Sequence, residues 1–156
     1  MPPLKLLPLL CSLVLVTSAL AAGRHTKGEK PLAISQGQAV ELNDFLVPGK
    51  ITLFDFTSEY CGPCRAYADP LLQLHRQRAD LAVVKVDINR PEIHKIDWDS
   101  PVARQYDLHS IPHFKVYGPD GKLLAEDHIT FGPDGQPSSR DSSARLLVDQ
   151  WISALQ

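Results

Sequence analysis

The sequence predicts an α/β fold, in which helices flank a central mixed β-sheet. Residues 51–56 and 81–87 are short apolar runs typical of buried strands, and a segment with helical spacing separates them. Such a unit implies parallel strands joined by a crossover helix. Residues 113–117 and 122–125 flank the turn sequence Gly-Pro-Asp-Gly, which indicates an antiparallel hairpin. The two arrangements together predict a mixed sheet of four or five strands.

The first half of the chain supplies three further elements. Residues 39–42 resemble a short strand, and Asn43 is placed to cap a brief helix before the chain turns at 48–49. Apolar residues recur at helical spacing after Cys64 as far as about Ala79. We therefore expect Cys61 at the N-terminus of a helix that Pro70 kinks.

The second half is predicted to contain two helices and a long loop. Ser100 is a favourable N-cap residue and Pro101 suits the first helical turn, so a short helix should run through Tyr106. Residues 131–139 are rich in Gly, Pro and Ser and are predicted to form a loop. Apolar residues at helical spacing between 144 and 155 predict an amphipathic helix that covers the sheet.

Size and charge limit the classes of protein that fit. A chain of 156 residues with 44% hydrophobic content fits one domain, which we expect to span residues 32–156. The formal net charge is −2, and no cluster of basic residues indicates nucleic acid or anionic lipid as a partner. We therefore expect no nucleic-acid binding.

The N-terminal residues have the pattern of a secretory signal peptide. Lys5 precedes an apolar run over 6–20, and Ala19 and Ala21 form an A-x-A cleavage site. We expect residues 1–21 to be a signal peptide and 22–31 a flexible lead. An uncleaved membrane anchor is the alternative, and only then would the chain contact a membrane. The protein is expected to be periplasmic or secreted, or anchored facing the same compartment.

Cys61 and Cys64 are the candidate reactive residues. Two cysteines separated by two residues can close a disulfide, and one can attack a substrate disulfide while the other resolves the mixed disulfide. A helix N-terminus would lower the pKa of Cys61 below about 8.5, and Cys64 should be the more buried thiol. A zinc site and a purely structural disulfide are the alternatives, although no second cysteine pair is present.

Two segments of the sequence resemble the thioredoxin family. Residues 54–65, Phe-Asp-Phe-Thr-Ser-Glu-Tyr-Cys-Gly-Pro-Cys-Arg, resemble its active-site segment, and Ser110-Ile111-Pro112 resemble its cis-proline loop. The similarity extends over about residues 32–155. It implies a thioredoxin-like fold and a thiol:disulfide oxidoreductase that needs no metal or organic cofactor, because the Cys61–Cys64 disulfide carries the electrons.

The resemblance also implies roles for individual residues. Asp55 matches the family's buried acid and would shuttle the proton of Cys64, with Lys85 as its partner. The bond between Ile111 and Pro112 would be cis and would present backbone groups to an extended substrate peptide. A structural ion pair between Asp55 and Lys85 is compatible with the shuttle role. Gly62 and Pro63, between the cysteines, resemble the reducing members of the family.

The predicted activity is reduction of disulfides in exported proteins. Its partners would be protein thiols and disulfides as substrates, together with an upstream redox partner protein. A disulfide oxidase or isomerase is one alternative, and a non-enzymatic binding module with the same fold is another. The sequence predicts neither the physiological substrate nor the electron donor.

Several positions depart from the family pattern. Thr57 and Tyr60 stand where tryptophans are usual, and residues 92–99 and 133–142 appear inserted without an assigned role. His109 and His113 flank Ile111-Pro112, four residues apart. A bend would keep these two histidines from sharing a helical face, so we expect both on the surface of the substrate loop rather than on a metal.

Overall fold

The computed structural model describes residues 25–155 and contains one mixed sheet of six strands. The strands lie in the order β1-β3-β2-β4-β5-β6 and comprise β1 Leu32–Ile34, β2 Ile51–Thr57, β3 Leu81–Asp87, β4 His113–Tyr117, β5 Leu123–Phe131 and β6 Pro137–Ser142. The helices are α1 Gly62–Gln77, α2 Pro101–Gln105 and α3 Ser143–Ser153, and Leu42–Phe45 forms a 3₁₀ turn. The α/β mixed sheet with flanking helices is confirmed, but it has six strands instead of the predicted four or five. The predicted signal segment, residues 1–21, lies outside the described residues.

The predicted strand–helix–strand unit is confirmed and forms the centre of the sheet. Strands β2 and β3 pair in parallel, and β4 pairs antiparallel to β2 on its other side. Because β2 has neighbours on both edges and is covered on both faces, Leu53, Phe54 and Phe56 are wholly buried. This rigid central strand leads directly to the turn that carries Cys61.

The two faces of the sheet are covered by different helices. On one face α1 and α3 pack against the side chains of Leu53, Val83 and Phe114. On the other face α2 and the 3₁₀ turn pack against Phe54 and Val84. The predicted cap of α2 is confirmed, since the Ser100 hydroxyl accepts a hydrogen bond from the Ala103 N–H at 3.2 Å. Pro70 lies inside α1, and the kink there stays a prediction.

The predicted strand at residues 39–42 is wrong. The edge strand is β1, earlier in the chain, and residues 39–41 are irregular. The Val40 N–H donates to the Gln105 side chain at 2.8 Å, and the Val40 carbonyl accepts from the Tyr106 hydroxyl at 2.7 Å. These side chains take the hydrogen bonds that a neighbouring strand would otherwise form. The brief helix predicted next is confirmed as the 3₁₀ turn. Its predicted cap at Asn43 is wrong, because the turn begins one residue earlier, at Leu42, and Asn43 lies inside it.

The predicted loop over residues 131–139 is wrong at both ends. Strand β5 extends to Phe131, and Pro137 begins β6, so the second segment that appeared inserted forms much of a hairpin. Strand β6 is polar and almost fully exposed at the edge of the sheet. Hydrophobic periodicity marks only strands with a buried face, and this edge strand has none.

Residues 25–31, the described part of the predicted flexible lead, contact the rest of the domain. The Lys27 ammonium donates to the Arg78 carbonyl at 2.6 Å. His75, buried in α1, accepts the Val83 N–H at Nδ1 (3.0 Å) and donates from Nε2 to the Gly28 carbonyl (2.9 Å). Burial lowers the pKa of this histidine, which is consistent with a neutral ring making both bonds.

A buried carboxylate joins the hairpin to α3. Asp127 on β5 accepts the Phe114 N–H through Oδ2 at 3.1 Å and the Arg145 N–H through Oδ1 at 3.0 Å. The Arg145 guanidinium in turn donates to the carbonyl of Pro112. Asp127 therefore fixes the start of α3, where a negative charge also complements the helix dipole. It also links this helix to residues 110–112, which we call the proline loop.

Replacing Asp127 by Ala should lower the free energy of unfolding by about 2–3 kcal/mol, because two backbone N–H groups lose their acceptor. Urea denaturation measures this change. The matched control is Asp134→Ala, which removes a comparable bond to the Gln136 N–H, but in an exposed turn. Similar losses in the two variants would contradict the proposed importance of the buried carboxylate.

Candidate redox-active site

Cys61 and Cys64 are joined by a disulfide where β2 leads into α1. Their Cα atoms are 5.2 Å apart. Cys61 is the N-cap residue of α1, with an extended backbone, and Pro63 lies in the first turn. Proline fits there because its missing N–H would have no partner within the helix. The predicted position of Cys61 at a helix N-terminus is confirmed.

The first turn of α1 directs a backbone donor at the sulfur of Cys61. The Cys64 N–H donates to Cys61 Sγ at 3.1 Å. A thiolate at this position would keep that bond and would also gain from the positive end of the helix dipole. Both effects favour the charged form of the Cys61 sulfur once the disulfide is reduced.

The expected difference in burial between the two cysteines is wrong for the disulfide form. Cys61 is 1% exposed and Cys64 is 4% exposed, so both are covered. The proline loop lies over Cys61, with the Ile111 carbonyl oxygen 3.7 Å from Cys61 Sγ. Burial alone therefore does not distinguish the two sulfurs, whereas their positions relative to the helix do.

The proline loop has the predicted cis bond between Ile111 and Pro112. His109, before it, is exposed, as expected of a substrate loop. His113, after it, is buried, and its expected surface position is wrong because β4 begins at this residue and turns the ring against Phe56. Burial, with the charges of the basic side chains around it, lowers the pKa of His113 to about 4. The ring is therefore neutral at physiological pH.

Asp55 is a buried acid on β2, six residues before Cys61. It is 2% exposed, and one of its oxygens, Oδ1, has no hydrogen-bond partner. Desolvation raises its pKa from 3.8 to about 7, and the charge of Lys85 opposes this rise. Lys85 is the residue opposite Asp55 in the register of β2 and β3. The carboxyl can therefore gain or lose a proton near neutral pH.

Two polar residues at the site, Ser58 and Asn89, were not predicted. The Ser58 hydroxyl donates to the Asn89 side-chain oxygen at 2.6 Å, and both residues are buried. The Ser58 carbonyl accepts the Cys61 N–H at 3.1 Å. The one available signal was that each residue follows a buried strand, and parallel strands end at the same edge of a sheet.

Within residues 25–155, no group of three or more His, Cys, Asp or Glu side chains is arranged to hold a metal ion. Over the same residues, no helix is long and apolar enough to cross a bilayer.

Comparisons with known proteins place these features in a family. The thioredoxin family model matches residues 38–130. Thioredoxin of Mycobacterium tuberculosis (strain ATCC 25618 / H37Rv) is 34% identical over 121 residues, which cover 77% of this chain and 84% of that protein. Thioredoxin of Mycoplasmoides gallisepticum is 28% identical over 96 residues, covering 62% of this chain and 86% of that protein.

Solved structures show the same fold. Thioredoxin f of spinach chloroplasts, in its short form, superimposes with a TM-score of 0.50 at 17% identity, covering 85% of this chain and 99% of that one. Thioredoxin of Trypanosoma brucei brucei gives a TM-score of 0.50 at 18% identity, with 85% and 95% covered. The chain therefore belongs to the thioredoxin family and is a thioredoxin-like disulfide oxidoreductase whose redox-active disulfide joins Cys61 and Cys64.

Proposed function

We propose that this protein reduces disulfide bonds of exported proteins, with Cys61 as the nucleophile and Cys64 as the resolving thiol. The observation that carries the assignment is the position of Cys61 at the N-terminus of α1, where its sulfur accepts the Cys64 N–H at 3.1 Å. A thiolate is the attacking species in thiol–disulfide exchange, and this is the cysteine whose thiolate the helix stabilises.

The reaction transfers two electrons from the reduced enzyme to the substrate. The Cys61 thiolate attacks one sulfur of the substrate disulfide, the substrate S–S bond breaks, and the other substrate sulfur leaves as a thiolate. Cys64 then loses its proton and attacks Cys61 Sγ. The Cys61–Cys64 disulfide forms and the second substrate thiolate is released. An upstream redox partner protein would return the two electrons by the reverse exchange.

Asp55 is proposed to accept the proton of Cys64 in the second step. A base is most effective when its pKa lies near the working pH, and burial brings the pKa of Asp55 to about 7. The charge of Lys85 opposes this rise in pKa without cancelling it, so an ion pair with Lys85 is compatible with the proton-accepting role.

The proline loop is proposed to hold the substrate beside the reactive sulfur. The Ile111 carbonyl lies 3.7 Å from Cys61 Sγ, so a peptide that pairs with this backbone would place its own disulfide near Cys61. Pro112 would fix the loop, with the Arg145 guanidinium bonded to its carbonyl.

The reducing direction and the exported location rest on sequence features. Gly62-Pro63 between the cysteines and Ile111 before the cis-proline favour a reductant, and the pattern of residues 1–21 favours export. A disulfide oxidase or isomerase would use the same atoms with a higher reduction potential, so the potential discriminates between these functions.

Chain recovered from outside the cytoplasm should begin at Ala22 and should have a reduction potential below about −180 mV, the value of protein disulfide isomerase. N-terminal sequencing and equilibration with glutathione buffers measure the two quantities. A potential above that value would contradict the reductase assignment. Retention of the whole chain in the cytoplasm would contradict export.

Replacing Asp55 by Asn should slow release of the mixed disulfide at neutral pH by at least about tenfold, because the proton acceptor is lost. It should also stabilise the fold at high pH. With a pKa raised from 3.8 to about 7, the folded protein binds the Asp55 proton more tightly than the unfolded chain. The free energy of unfolding of the parent protein therefore falls by up to about 4 kcal/mol as the pH rises through this range.

Urea denaturation of both proteins at pH 4 and pH 8 measures the stability effect. The Asn variant should gain stability over the parent at pH 8 only, and Asp134→Asn, in an exposed turn, is the matched control. An equal difference at the two pH values would contradict the raised pKa of Asp55.

A further inference from the structure

Residues 90–99 form an irregular segment between β3 and α2, and the function proposed above does not use them. This segment contains the whole of the first insertion, residues 92–99. It has an internal framework, since Arg90 donates to the Asp97 carboxylate from Nε at 2.7 Å and from Nη2 at 3.0 Å. Asp97 is 4% exposed, so the pair is shielded on the carboxylate side. The two ends of the segment are therefore held together.

A glycine lets the chain beside β1 pack closely against the start of this segment. Gly37 has a φ of +79°, a left-handed conformation that favours glycine, and a Cβ there would lie 2.6 Å from the Arg90 backbone nitrogen. The Gly37 carbonyl accepts the Val102 N–H at 3.3 Å, just beyond the segment. The base of segment 90–99 is thus packed against the domain.

Asn89 joins the segment to the turn that precedes Cys61. Its amide nitrogen donates to the Ile93 carbonyl at 3.0 Å and to the Lys95 carbonyl at 2.6 Å. Its side-chain oxygen accepts the Ser58 hydroxyl at 2.6 Å. One buried side chain therefore holds the path of the segment and the position of Ser58 at once.

Ser58 passes this restraint to the reactive cysteine. Its hydroxyl accepts the Tyr60 N–H at 3.2 Å, and its carbonyl accepts the Cys61 N–H at 3.1 Å. Segment 90–99 and the turn 58–61 are thus two parts of one hydrogen-bonded unit, with Asn89 at its centre.

The tip of the segment meets the residue next to Cys61. The Tyr60 hydroxyl lies 3.1 Å from Nδ1 of His94, and the two rings are in edge contact. His94 is exposed and Tyr60 is half-buried, so both present surface to an incoming molecule. The contact places a residue of the segment at the entrance to the disulfide.

The other end of the segment reaches the side of the proline loop. Trp98, an exposed tryptophan, lines the same surface depression as His109, which lies two residues before Ile111. The His109 ring also contacts Phe131, with the ring centroids 4.4 Å apart. We call the exposed and half-buried rings on this surface the aromatic rim, comprising Tyr60, His94, Trp98, His109 and Phe131.

We propose that segment 90–99, positioned by Asn89, is a binding surface for polypeptides that contain a disulfide, and that Tyr60 and His94 determine specificity at its edge. The occupant is an unfolded stretch of substrate protein with an apolar or aromatic side chain beside its disulfide, since rings contribute contact area at low entropic cost. This inference rests on the proposed reductase function. Asn89 acts as a positioning residue, and Tyr60 and His94 contact the substrate.

Steady-state reduction of two substrates tests the proposal. Insulin supplies a polypeptide disulfide, and hydroxyethyl disulfide supplies the same bond without a chain. His94→Ala removes a ring of the rim, and Tyr60→Phe removes the hydroxyl that holds His94 in place. Each should raise KM for insulin by about three- to tenfold, with kcat preserved. KM for hydroxyethyl disulfide should change by less than about twofold. Asn89→Ala should raise KM for insulin as His94→Ala does, and it should also lower kcat for both substrates, because Asn89 holds Ser58 beside Cys61 as well.

Tyr67→Phe is the matched control for Tyr60→Phe. It removes a tyrosine hydroxyl that donates to Asp149 at 2.8 Å, away from the rim, and should leave both KM values unchanged. Equal changes in KM for the two substrates, or an unchanged KM for insulin, would overturn the proposal. If Asn89→Ala does not fold, the exposed His94→Ala variant decides. A parent protein that reduces neither substrate would refute the reductase function itself.

Discussion

The site depends on one junction, where the central strand β2 ends and the helix α1 begins. The hydrogen bond from the Cys64 N–H to Cys61 Sγ exists only because α1 starts at Gly62. That start is fixed by β2, which pairs on both edges and is buried on both faces. The proline loop and the turn 58–61 are then positioned relative to this rigid strand. The reactivity proposed for Cys61 is thus a consequence of how the sheet packs.

The same burial that stabilises the sheet raises the pKa of one acid, Asp55, towards neutral pH. Asp55 lies in the central strand β2, where burial keeps water from solvating its carboxylate, and its pKa rises to about 7. His113 shows the opposite response to the same environment, because burial lowers the pKa of a base to about 4. The fold therefore holds one buried group that titrates near neutral pH and one that stays neutral there. Only the first is suited to moving the proton of Cys64.

Elements with a buried face could be predicted from the sequence, and exposed or irregular ones could not. Strands β2 and β3 and helix α1 were predicted because the spacing of their apolar residues indicates a buried face. Strand β6 was missed because its edge position leaves it polar. The Asn89–Ser58 bond was missed because it joins residues 31 positions apart through single polar groups, and no local pattern records such a pairing. The candidate cysteines were found from spacing, whereas their surroundings required the fold.

The most direct test of this account is the pH dependence of thiol alkylation in the reduced protein, with the modified cysteine identified by peptide mapping. Cys61 should react first, with an apparent pKa clearly below about 8.5, and Cys64 should react more slowly. Faster modification of Cys64, or a Cys61 pKa at or above that of a free thiol, would contradict it.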